Sequence, residues 1–88
     1  MGNFMGGSAF AMANQIGEGY IMVTERTFAR LLPPELDKLS FELDRLLRDT
    51  RGQQPDLADT QALQQRNRKI SRLQSCLNMV QSYKMRRR

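Results

Sequence analysis

Side chains able to do chemistry gather in the last third of this chain, where Arg66, Arg68, Lys69, Arg72, Lys84, Arg86, Arg87 and Arg88 face only Asp56 and Asp59. Residues 1–23 hold a single charge, Glu18, and residues 24–52 balance acids and bases, so the formal net charge of +5 originates in residues 53–88. Such an asymmetry is the electrostatic footprint of a polyanion partner. On a helix, Arg68, Arg72 and Arg86 share the side opposite Ile70 and Leu77, with Met79 among them and Tyr83 beside them. That makes a basic stripe with an aromatic near its end, suited to phosphate backbones. The same charges have a second explanation, because cations in a last helical turn complement the helix dipole by about 0.3–1 kcal/mol each. The basic residues follow and overlap a leucine seam, which is not the order of a basic zipper, so base-specific DNA reading is not expected.

Catalytic constellations are otherwise missing. The chain has no histidine, no glycine-rich phosphate loop between a strand and a helix, and one cysteine, Cys76, so neither an intrachain disulfide nor a zinc site of the usual kind can be assembled. Cys76 is the one nucleophile of note. With no base near it in sequence, it reads as a half-buried structural thiol. The expectation is therefore a protein that is not an enzyme, with no cofactor, no metal and no small-molecule substrate, because two paired helices do not enclose a ligand-sized pocket.

The elements that must position these groups follow from hydrophobic spacing. Leu32, Leu36, Leu39, Leu43 and Leu46 recur at intervals of four and three, a heptad seam that Leu47 widens, which predicts a helix over 34–51 with Pro34 in its first turn. Phe41 falls on the far side of that helix and calls for a second layer, from residues 24–32 or from another chain. The stretch Arg51-Gly52-Gln53-Gln54-Pro55 makes a break, with Gly52 as a left-handed terminator. Asp56 then caps a helix over 56–86, whose Leu63, Ile70, Leu73, Leu77 and Val80 keep the heptad and whose Arg66 occupies a seam position, where a charge fixes register or marks the partner helix's end. A short connection between two amphipathic helices implies an antiparallel, coiled-coil-like hairpin. Its arms are unequal, so Leu77, Met79 and Val80 project unless the N-terminal segment covers them.

Before the hairpin, residues 22–33 read as a short helix capped by Thr24, with Phe28, Leu31 and Leu32 on its apolar edge and Pro33-Pro34 ending it. Residues 1–21 hold five of the six glycines and one charge. Residues 8–16 could form a helix capped by Ser8, with Phe10, Met12 and Ile16 as apolar positions, but glycine content favours a flexible tail, and an internal start at Met22 would then leave a domain that folds without it. A tail with Phe4, Met5, Phe10 and Met12 could also be held in a partner's groove. The Ala-x-Ala triplets near residue 10 lack the preceding cation and apolar run of a secretory signal, and Gly6 stands where an acylation signal requires Ser or Thr. No stretch matches a membrane span, and a lone thiol fits a reducing, cytoplasmic setting.

The expectation is thus all-α: a flexible tail over 1–21, and a domain over 22–88 made of a short helix and a hairpin that forms part of an oligomeric helical bundle. Eighty-eight residues bury a small core, and association is the stabilising device left when disulfides and metals are absent. The function that follows is a non-enzymatic assembly module, a small adaptor or structural subunit that meets a protein partner or its own copies. Leu36, Leu39, Phe41, Leu43, Leu46, Ile70, Leu73, Leu77, Met79 and Val80 would supply interface and core. The alternative is a basic helical protein that contacts RNA or DNA non-specifically through Arg68, Lys69, Arg72, Lys84, Arg86, Arg87 and Arg88. Attachment to a membrane is not expected, because packing needs the apolar face of the last helix.

Overall fold

The computed structural model describes residues 7–86, and all of its regular elements are helices: α1 (Ala9–Glu18), α2 (Glu25–Ala29), α3 (Pro33–Gly52) and α4 (Thr60–Arg86). Helix α4 is the spine. At 1.5 Å per residue its 27 residues span about 40 Å, close to the 46 Å long dimension of the molecule. The all-α expectation is borne out. Lys84 meets Asp37 while Arg51 meets Gln74, so positions rising along α4 pair with positions falling along α3.

Local chemistry explains the boundaries. Pro33 and Pro34 occupy the first turn of α3, where a missing N–H costs nothing, and the Leu32 N–H is bonded by Glu35 Oε1 at 2.9 Å. Leu32 therefore sits outside the helix in extended backbone and is 61% exposed. This corrects its place at the head of the leucine seam. The buried row is Leu36, Leu39, Leu43 and Leu47, with Leu31 closing one end and Leu46 only half-buried. A 3.6-residue helix drifts relative to a strict heptad, and over these turns the drift brings Leu47 inward in place of Leu46.

At the other end of α3, Gly52 is the last helical residue and does not adopt the left-handed conformation expected of it, since among the described residues only Gly7 and Gly19 have positive φ. The start of α4 also lies later than expected. Asp59 caps it, accepting from Ala62 N–H at 3.0 Å, while Asp56 accepts from Ala58 N–H and shapes the preceding turn. Both aspartates suit a cap; the later one wins because the earlier one's carboxylate is engaged two residues on.

The largest correction concerns residues 1–21. Over 9–18 this segment is a packed helix, in which Met12, Ala13, Ile16 and Gly17 are buried against α3 and α4. Ser8 Oγ accepts from Ala11 N–H at 3.1 Å and caps its start. Its end is a Schellman turn: Gly19 lies at φ +80°, Gly19 N–H donates to Ile16 O, and Tyr20 N–H donates to Gln15 O. Gly17 permits close approach, because a Cβ there would stand 3.3 Å from Lys69 Cε and 3.4 Å from Leu73 Cδ2. Glycine penalties are real, but here two of the five glycines serve a helix crossing and a helix stop. Phe4 and Met5 lie outside the described residues.

The long arm of α4 is covered, the alternative that its projection left open. Helix α2 and Leu31 lie over it, with the Phe28 ring 5.8 Å from that of Tyr83 and tilted by 54°. Leu77 and Val80 are consequently buried and Met79 is half-buried. Thr24 stands where it was expected, ahead of α2, with its N–H bonded by Thr27 Oγ1. One core joins all four helices.

Candidate functional site

The structure divides the expected site residues sharply. Leu36, Leu39, Leu43, Leu73, Leu77 and Val80 are between 0% and 6% exposed, enclosed by the chain's own helices. Leu46, Ile70 and Met79 are half-buried against the same core. Phe41 alone of the expected interface residues stands outward, 64% exposed, and α2 does not cover it. Beside it stands Phe10, 58% exposed, and the two rings line one shallow groove with Ala9, Asp37, Lys38 and Glu42. The pairing of Phe10 with Phe41 was not anticipated. Its signal lay in the α1 spacing, since Ala9, Met12, Ala13 and Ile16 form one face and Phe10 falls about 100° from Ala9.

The basic residues sort by what holds them. Lys84 Nζ lies 2.6 Å from Asp37, and Arg86 is bonded to Glu25, so the end of α4 is paired with carboxylates of α3 and α2. Lys69 pairs with Glu18 at 3.2 Å. Arg66 and Arg72 are held differently, by neutral carbonyls. Arg66 donates from Nε to Gln53 O at 2.8 Å and from Nη2 to Arg51 O at 2.7 Å, while Arg72 Nε donates to Gly17 O at 2.9 Å. Each guanidinium thus satisfies carbonyls at or just beyond the C-terminal end of a neighbouring helix, α3 for Arg66 and α1 for Arg72. Arg66 marks where the partner helix ends, one of the two roles its seam position allowed.

Arg68 is exposed and has no hydrogen-bond or ion-pair partner among the described residues. Arg87 and Arg88 lie outside the described residues. Tyr83 packs on Phe28 and is half-buried, so it is not the open aromatic platform that a basic stripe would use. The acids and bases of α3 pair along the helix surface, Arg48 with Asp44 and Arg45 with Glu42.

Helix α1 and residues 53–55 add walls that a two-helix hairpin lacks. Together with α4 they form an open cleft of about 520 Å³ lined by Glu18, Gln53, Pro55, Ala62, Gln65, Arg66, Arg68, Lys69 and Arg72. It is a polar, basic concavity without an aromatic side chain.

Cys76 is 1% exposed, and burial pushes its thiol from 9.0 up to about 12. At neutral pH it is a neutral core group. A thiol reagent at pH 8 should leave the native protein unlabelled and label it fully in denaturant; rapid native labelling would contradict the burial. Because the folded value is raised, the thiol's contribution to stability is complete below about 9 and is lost as pH climbs toward about 12.

Among the described residues no group of His, Cys, Asp and Glu could hold a metal ion, and no helix is long and apolar enough to cross a membrane. Comparisons with protein-family models, with curated proteins and with solved structures returned no match.

Proposed function

We propose that the protein is a non-enzymatic helical assembly module that associates through the face shared by α1 and α3, with a second copy as its partner. The observation that carries this reading is the pair of outward rings, Phe10 and Phe41, in one groove. Isolated apolar residues on a surface need no explanation, but two adjacent aromatics rimmed by charge have the composition of an interface centre. The rim contains both signs, Asp37 and Glu42 beside Lys38 and Arg45. Such a rim is self-complementary about a two-fold axis, where Lys38 of one copy can meet Glu42 of the other.

The leucine seams act one level below this, as the core that presents the face. The arrangement α3–α4 is read here as an antiparallel hairpin stiffened by α1. A coiled-coil partner for the seams themselves is not required, since they are already covered. Contact with RNA or DNA through the end of α4 draws less support, because Lys84 and Arg86 are occupied by carboxylates.

Sedimentation equilibrium at micromolar concentration tests the reading. The native chain should show a reversible dimer, and Phe41→Ser should weaken it by at least about a hundredfold, since a two-fold interface loses two rings worth about 1.5–3 kcal/mol each. The thermal melt of Phe41→Ser at low concentration should match that of the parent. A cooperative monomer at all concentrations, with no protein copurifying, would refute the assembly role; a stoichiometric protein partner instead of self-association would replace the second copy by that partner.

A further inference from the structure

We propose that the cleft between the C-terminal end of α1, residues 53–55 and the middle of α4 binds a compact oligophosphate anion, of triphosphate size. It shares no lining residue with the Phe10–Phe41 groove and does not depend on the assembly role.

The basis is how each cation is held. An ion pair fixes a basic side chain and cancels its charge; a hydrogen bond to a carbonyl fixes it and leaves the charge in place. Lys84 and Arg86 are of the first kind. Arg66 and Arg72 are of the second, locked by backbone carbonyls yet still fully cationic. Arg68 adds an uncommitted guanidinium, and of the cleft's charges only Lys69 is matched, by Glu18. The C-terminal ends of α1 and α3 point toward this region and together offset about one positive charge. The cleft remains positive after that allowance.

Pre-oriented cations reduce the ordering cost of binding, and a guanidinium binds phosphate oxygens through paired hydrogen bonds; Arg68 keeps its whole guanidinium for this and Arg72 its Nη groups, while Arg66, with Nε and Nη2 committed to carbonyls, adds fixed charge. The positive residues Arg66, Arg68, Lys69 and Arg72 extend about 9 Å along α4, which matches a few linked phosphoryl groups rather than a long strand. Volume agrees, since about 520 Å³ lies in the range of small-ligand sites. The absence of an aromatic from the lining means that no base or ring is read by stacking, so recognition rests on the phosphates.

Isothermal titration of the full chain with tripolyphosphate at low ionic strength tests the proposal, with a nucleoside triphosphate and a single-stranded oligonucleotide as parallel arms. The expected result is saturable one-to-one binding of tripolyphosphate, with the nucleotide bound equally. Arg68→Gln should weaken binding by about tenfold, as loss of a charge-assisted contact predicts. Arg68 holds nothing in the fold, so this variant should melt like the parent. Lys84→Gln and Arg86→Gln should change affinity less than twofold, and amide shifts on titration should cluster at Gln53, Gln54 and 62–72. Absence of saturable binding overturns the proposal. So does equal weakening by the α4-end variants, which would indicate diffuse charge attraction. Binding of the oligonucleotide alone would also overturn it, in favour of a nucleic-acid strand.

Discussion

A chain that begins at Met22 should lose its cooperative fold. Removing α1 deletes Met12 and Ile16 from the core, each worth about 1.5–3 kcal/mol of burial, and uncovers the sides of α3 and α4 on which they pack. For a domain of this size total stability is about 4–13 kcal/mol, so the loss consumes much or all of it. Glu18 and the Gly17 carbonyl leave as well, stranding Lys69 and Arg72. Circular dichroism of the shortened chain should show reduced helix content and a broad, non-cooperative melt. The control is Phe10→Ala, which removes an outward ring from the same helix and should melt within a few degrees of the parent. A shortened chain with a sharp transition near that of the full protein would show that α1 is an accessory.

Leu73→Ala should be the most damaging single substitution along α4. Leu73 is fully buried and sits where α1 crosses α4, within 3.4 Å of the position a Cβ on Gly17 would take. Truncating a leucine so enclosed costs about 3–5 kcal/mol, because the transfer energy and the cavity add. In a domain of this length each kcal/mol lowers the melting temperature by about 4–8 °C, so a drop of about 12 °C or more is expected. Leu46→Ala, at a half-buried position, should cost markedly less. Urea unfolding of the two variants checks the ordering, and equal losses would show that Leu46 is as enclosed as Leu73.

The contrast between Leu46, half-buried, and Leu47, buried, shows what sequence spacing can resolve. Heptad counting placed both in or beside the seam, and it correctly marked α3 and α4 as amphipathic helices of nearly the observed extent. It could not say which of two adjacent leucines turns inward, because a strict heptad count ignores the drift of a 3.6-residue helix. Helix α1 was the element least legible. Its spacing over 8–16 was visible, with Ser8 as cap, yet glycine content argued for a tail; what decides the matter is a tertiary contact, the close crossing of Gly17 over Lys69 and Leu73.

The candidate sites repeat the lesson. Charge counting singled out α4 and could not separate cations cancelled by distant acids, Glu25 and Asp37, from those held by carbonyls. Those partners lie tens of residues away in sequence. Phe41 stood out because its position contradicted its own helix face, whereas Phe10 could be matched to it only once α1 lay beside α3.

The fork from Arg66 to the carbonyls of residues 51 and 53 carries a consequence for how this sequence tolerates change. Every residue type except for its side chain offers the same carbonyl, so the acceptor half of the contact places no demand on which amino acids occupy those two positions. The donor half is exacting, since a lysine has no planar fork with which to reach both oxygens. In a saturation library, positions 51 and 53 should therefore accept wide substitution while position 66 accepts little, although all three take part in one contact.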